Sequence, residues 1–231
     1  NTGGLLSEET GNIRTDGNDL LRLYNTIYYK SGWQDAFKSS QTKQDTFTAA
    51  DGAAQTVDFM HRTESGSYRK GDGYTAASRS LNYGRMVFVL PDEGVTPESL
   101  LQRQGFLAEL TGDYNAAELV WSVPKFDVKS STELNGVLQA LGVTDAFDMA
   151  EADFTPLTDN GAFLSSAMQA ARVKIDEEGV EAAAYTEIVC ADSAMMEVPP
   201  TVEMDLDRPF LFVIFDNSNV PLFVGTVNTM A

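Results

Sequence analysis

The stretch Met204-Asp205-Leu206-Asp207-Arg208-Pro209-Phe210-Leu211-Phe212-Val213-Ile214 ends in an unbroken apolar run, Phe210 to Ile214. Such a run reads as a strand. Leu222 to Val227 is a second one, and Asp216-Asn217-Ser218-Asn219 between them is rich in turn formers, so the two predict a hairpin.

Working outward, Gln44 to Thr48, Gln55 to Arg62, Tyr74 to Leu90, Leu119 to Val128 and Phe163 to Asp176 are strand-like. Pro91 stops the third of these, because it has no donor for the ladder. Leu20 to Tyr29 is rich in β-formers and apolar on both faces, as a strand covered on both sides would be. Its Leu21, Leu23 and Ile27 face also carries Asn25, an amide that needs a partner. Thr96-Pro97-Glu98 predicts an N-cap and first-turn proline for a short helix through Leu100 and Leu101. Ser130-Ser131-Thr132-Glu133 has capping-box spacing, with Leu134, Val137, Leu138 and Leu141 at helical intervals and Gly142 as the stop. No internal repeat or low-complexity tract occurs. The fold class predicted is α+β, with mostly antiparallel pairing and a few short helices.

The 231 residues carry 16 Lys and Arg against 34 Asp and Glu, a net charge of −18. A surface this acidic repels phosphate backbones and anionic lipid, so nucleic-acid and membrane partners are not expected. No stretch approaches the ~20 apolar residues of a membrane span. Asn1-Thr2-Gly3-Gly4 has neither the basic start nor the apolar core of a signal peptide. The single cysteine, Cys190, cannot form an internal disulfide.

Enzyme motifs fail. With one histidine, His61, a His-rich metal site is impossible, and no G-x-S-x-G, H-E-x-x-H, P-loop or paired C-x-x-C occurs. No catalytic role, cofactor or metal is expected. Gly71-Asp72-Gly73-Tyr74-Thr75-Ala76 matches G-x-G-x-x-A, but Arg69 and Lys70 precede it and no helix pattern follows, so it reads as a surface turn. His61 reads as a partly buried strand residue. Glu177 to Pro200 stands apart. It is rich in Ala and Glu, lacks a helical stripe, and is long enough without structure to be functional or a plain linker.

Several of these stretches resemble the serpin family. Met204 to Ile214 looks like the family signature, and Glu177-Glu178-Gly179-Val180-Glu181-Ala182-Ala183-Ala184 resembles its hinge. Asn25, then Gly32-Trp33 and Phe37, resemble the third strand of the large sheet and the tryptophan at its top. Val123-Pro124-Lys125-Phe126 and Ala152-Asp153-Phe154-Thr155 match two further landmarks in order. The chain resembles about the C-terminal three-fifths of a single serpin domain, with residues 177–200 as hinge and reactive-centre loop and the N-terminal helices absent. The resemblance implies mixed sheets, a metastable fold and an exposed loop that a protease cleaves as bait. The acylated protease is then carried off as the loop inserts as a new strand. It also implies extracellular action and a monomer.

The loop has the pattern insertion needs. Strand alternation puts Val180, Ala182, Ala184, Thr186, Ile188 and Cys190 on one face, all small or β-branched and uncharged. Glu181, Ala183, Tyr185, Glu187 and Val189 fall on the other. Two departures stand out: Val180 replaces the family's usual hinge threonine, and Met168-Gln169-Ala170-Ala171 replaces its Val-His-Lys-Ala. The family's buried His–Asn contact would become Gln169 with Asn25, an amide pair expected to stabilise by ~1 kcal/mol. Family spacing puts the cleaved bond at Ser193-Ala194, with Met195 or Met196 as alternatives. No Lys or Arg lies between Gly179 and Pro200. Trypsin-like targets are therefore disfavoured and elastase- or subtilisin-like serine proteases are the expected partners. Cys190 leaves a cysteine protease open as a second target. A non-inhibitory carrier or chaperone, or a truncated inactive chain, remains the alternative to inhibition, with an acid-rich hydrolase last.

Overall fold

The computed structural model describes residues 21–27, 29–159, 161–180 and 199–230. In chain order the strands are β1 (Leu21–Ile27), β2 (Ser31–Gly32), β3 (Thr42–Thr48), β4 (Ala54–Gly71), β5 (Tyr74–Ser80), β6 (Arg85–Pro91), β7 (Asn115–Pro124), β8 (Phe126–Glu133), β9 (Leu164–Asp176), β10 (Gly179–Val180), β11 (Thr201–Asp205), β12 (Phe210–Phe215) and β13 (Pro221–Val227). The α-helices are α1 (Pro97–Leu101), α2 (Phe106–Glu109) and α3 (Asn135–Ala140). The class is α+β, as the sequence predicts. Two compact units form, one from residues 1–29 and 128–173, the other from 30–127 and 174–231.

In the larger unit one sheet runs in the order β11-β7-β4-β5-β6-β12-β13, with β3 paired to β4. The apolar run from Phe210 is its β12, antiparallel to both β6 and β13, and every residue of it is buried. Its two faces meet different neighbours. Leu211, Val213 and Phe215 join Tyr74, Val89, Leu100 and Phe106 in one core cluster, which α1 and α2 help to line. Phe210 and Phe212 meet aromatic rings instead: Phe88 lies 6.3 Å from Phe210, and Phe126 stacks on Phe212 at 5.3 Å. Side chains buried this fully contribute about 1.5–3 kcal/mol each. The predicted hairpin turn follows. Asp216 Oδ1 accepts from the amides of Ser218 and Val220, both at 2.8 Å, and Asn219 takes a φ of 63°.

Local signals in this unit hold where the chain itself supplies the partner. Thr96 caps α1 by accepting from Ser99 N at 3.2 Å, with Pro97 in the first turn. The Gly71–Ala76 stretch is the β4–β5 hairpin, with Gly73 at φ 79°. A strand follows the turn where a nucleotide fold needs a helix, so the dinucleotide reading is excluded. The long strand read over Leu119 to Val128 is two strands, β7 ending at Pro124 and β8 starting at Phe126, with Lys125 between them donating its amide to Asp58 O of β4 at 2.8 Å.

In the smaller unit β1 lies parallel to the first part of β9, in register from Arg22↔Ser166 to Ile27↔Ala171. The strand predicted from Leu20 to Tyr29 forms, but it is not covered on both faces: Leu23 is 51% and Tyr24 39% exposed. Among the described residues β9 gives it an edge and little packing. The capping box is corrected as well. Ser130 and Glu133 belong to β8, which pairs with β9, so their backbone groups serve a ladder and not a helix end. Asn135 fastens the start of α3 instead: its Oδ1 accepts from Ala167 N at 2.8 Å and its Nδ2 donates to Ser165 O at 3.3 Å. Gly142 does end the helical stretch, at φ 94°. The stripe on α3 is not core, for Val137 and Leu141 are 52% and 76% exposed.

Candidate functional site

The start of the resembling hinge is built into the larger unit. Glu178 N donates to Asp176 Oδ1 at 2.9 Å, which tightens the turn out of β9. Gly179 and Val180 then form β10, a strand with a partner on each side. Gly179 pairs with Asp176 and Gly32, and Val180 pairs with Ile175 and Ser31. Val180 is buried, as are Ile175 and Ser31 beside it on the same rung. The face assigned inward from the sequence at Val180 is therefore the buried one.

Three elements hold the turn before it. Trp33 donates its amide to Glu178 O at 2.9 Å and its indole Nε1 to Asp176 O at 3.0 Å, and Phe37 donates its amide to Glu177 O at 2.9 Å. Both rings are buried and meet edge-on, 6.0 Å apart. The Trp33 segment is itself tied to the end of β5, through Gln34 N to Ser80 O and a bridge from Trp33 to Leu81. The Glu177 carboxylate accepts from Thr42 Oγ1 at 2.7 Å and pairs with Lys125 Nζ at 3.0 Å. Sequence reasoning passed over the roles of Thr42 and Lys125, which lie far from Glu177 in the chain, and no spacing rule connects them.

Burial pushes the Glu177 carboxyl up, but the Thr42 hydroxyl, its own backbone N–H and Lys125 outweigh it and hold the group below the ordinary carboxylate range. A carboxylate so depressed contributes stability above its ordinary pKa, and that contribution is lost as pH falls through the depressed value. Glu177→Gln should therefore lower the urea midpoint at pH 7, with the gap to the parent closing as pH falls below the ordinary carboxylate range. The pH 7 loss is about 1 kcal/mol, kept small by the part-exposed lysine.

Asn25 and Gln169 do meet, as opposite residues on the β1–β9 ladder. The expected buried amide pair needs correction, however. Asn25 is exposed, and no hydrogen bond joins the two side chains among the described contacts. Water can satisfy both amides here, so Gln169→Leu should shift stability by less than about 0.5 kcal/mol, read from urea midpoints. Glu181, Ala182, Ala183, Ala184, Cys190, Ser193, Ala194, Met195 and Met196 lie outside the described residues. His61 sits half-buried on β4.

The family model for serpins, serine protease inhibitors, matches residues 1–230. Serpin B11 of Homo sapiens is 30% identical over 97% of this chain and 59% of its own length. Serpin-Z1C of Triticum aestivum is 31% identical over 98% of this chain and 60% of its own. The chain thus spans about three-fifths of the curated relatives it matches. Among solved structures, the thermophilic serpin tengpin in its native state aligns with TM-score 0.79 and 28% identity, covering 99% of this chain and 62% of that one. Human thyroxine-binding globulin complexed with thyroxine aligns with TM-score 0.77 and 25% identity, over 100% and 63%. A turn held by tryptophan ahead of Val180, an apolar strand after Pro209 and a family match over residues 1–230 converge: this chain belongs to the serpin family.

Proposed function

We propose that this chain is the loop-bearing part of a suicide-substrate inhibitor of serine proteases, and not a catalyst. The single observation that carries the reading is β10. Val180 is already a strand residue with a partner on each edge, so an inserting loop would continue a strand that has already begun.

The sequence pattern supports it further. Strand alternation puts Ala182, Ala184 and Thr186 on the same face as the buried Val180, and all three are small or β-branched, as a strand entering a packed sheet requires.

Cleavage at Ser193-Ala194, or at Met195 or Met196, suits shallow apolar specificity pockets, so elastase- and subtilisin-like enzymes outside the cell are the proposed targets. A cysteine protease is the second candidate. The likeness to thyroxine-binding globulin favours one other reading, a carrier without a trap.

The test is to mix the complete protein with neutrophil-type elastase, subtilisin and trypsin, then resolve the products on a denaturing gel with mass analysis of the released peptide. An adduct that survives denaturation with either of the first two, none with trypsin, and a peptide starting at Ala194 is expected. Clean cleavage without adduct in every case would refute inhibition and leave the carrier.

A further inference from the structure

The larger unit buries a charge directly behind the residues that hold the hinge. Arg79, on β5, is 3% exposed. Its Nε and Nη2 reach the two oxygens of Glu64 at 2.9 and 3.2 Å, and Nη2 also donates to Asp35 O at 2.6 Å. Its Cζ lies 3.9 Å from the centre of the Phe37 ring and 5.0 Å from that of Trp33. These two residues supply the amides that hold Glu177 O and Glu178 O.

As a stabilising device this arrangement is poor. Burial drives the Arg79 pKa down to about 10 against the pull of Glu64. Its Nη1 has no hydrogen-bond partner among the described residues. Ion pairs buried at such a cost can usually be replaced by apolar groups with no loss of stability. What apolar groups do not supply is direction. The guanidinium fork fixes Asp35 O, and its flat face fixes both rings, whereas hydrophobic packing is non-directional.

We propose that Arg79 is a positioning residue for the trap: clamped by Glu64, it orients Trp33, Asp35 and Phe37 so that the turn before Val180 stays in place while the strand inserts. The role in trapping rests on the insertion reading above. The seating of the hinge does not.

The test uses Arg79→Met combined with Glu64→Gln in the complete protein, so that neither member of this pair stays buried alone; Arg62, which also pairs with Glu64 at 2.6 Å, is part-exposed and keeps Asp35 at 3.7 Å. Melting temperature should stay within about 3 °C of the parent, the shift expected from roughly 1 kcal/mol. Hydrogen exchange at the Trp33 and Phe37 amides should quicken about tenfold while β12 is unchanged. Target protease should cleave the loop at the parent rate, with about threefold more inhibitor consumed per protease trapped, as a fixed-angle contact is lost. Unchanged exchange would overturn the proposal. Faster exchange with unchanged stoichiometry would overturn the link to trapping. A parent that forms no adduct would sink the insertion reading alone, because exchange still decides whether Arg79 seats the hinge. Should the double variant not fold, Arg79→Lys keeps the charge and loses the fork. It should show the same shifts at smaller size, and parent-like exchange in it would overturn the proposal equally.

Discussion

On the inhibitory function proposed above, Val180→Arg should leave a substrate that no longer traps protease. The side chain at this position lies on the buried face of β10, 2% exposed, between Ile175 and Ser31. No acidic partner stands on that rung, so a guanidinium there would be buried unpaired, at a cost of several kcal/mol. The expelled hinge would still offer its bait bond, and the protease would still cut it. Insertion, however, would have to begin by burying the charge, and hydrolysis of the acyl-enzyme would win. On a denaturing gel the adduct should vanish while cleaved inhibitor accumulates. Val180→Thr, β-branched and of similar volume, should keep the adduct. An arginine variant that traps protease at parent stoichiometry would refute insertion from this point.

Gly179→Ala is expected to have the next largest effect. Gly179 takes a φ of 143°, where side chains are strained. A Cβ there would meet only backbone: Gly32 Cα at 2.6 Å, Ser31 O at 2.6 Å and Trp33 N at 2.8 Å. None of these can swing aside, so β10 must leave its place between β9 and β2. Strain and clash together should cost about 2–3 kcal/mol, or roughly 6–10 °C in melting temperature for a chain of this size. Gly136→Ala, on α3 with open space around it, is the control and should be neutral or slightly stabilising. Similar melting temperatures for the two variants would show that the close approach at Gly179 is not a constraint.

Features set by neighbours in sequence were legible from the residues. The run Phe210 to Ile214 had to be a buried strand because nothing in it could face water. Asp216 and Thr96 satisfy amides two to four residues away, a reach that sequence patterns cover. Reading failed where a distant strand competed for the same groups. Ser130 and Glu133 have the spacing of a helix start, yet β9 takes their segment into a ladder. The Leu20–Tyr29 pattern promised burial that the described neighbours do not provide. Around the turn before Val180, Glu177 to Val180 and Trp33 could be named through family likeness. The partners that seat them, Thr42, Lys125 and Arg79, come from β3, the β7–β8 break and β5. Only the folded sheet brings those together.

The position of β12 bears on how the molecule is made. The ribosome delivers this strand after every other strand of its sheet except β13, yet it sits between β6 and β13. Until it emerges, the apolar residues of β6 from Met86 to Leu90 have an unpaired edge, and the face formed by Tyr74, Leu100 and Phe106 lacks its lid. The nascent chain must therefore wait with its stickiest edge open, a state that invites association between neighbouring chains during synthesis. Premature termination before Phe210 would make that waiting state permanent.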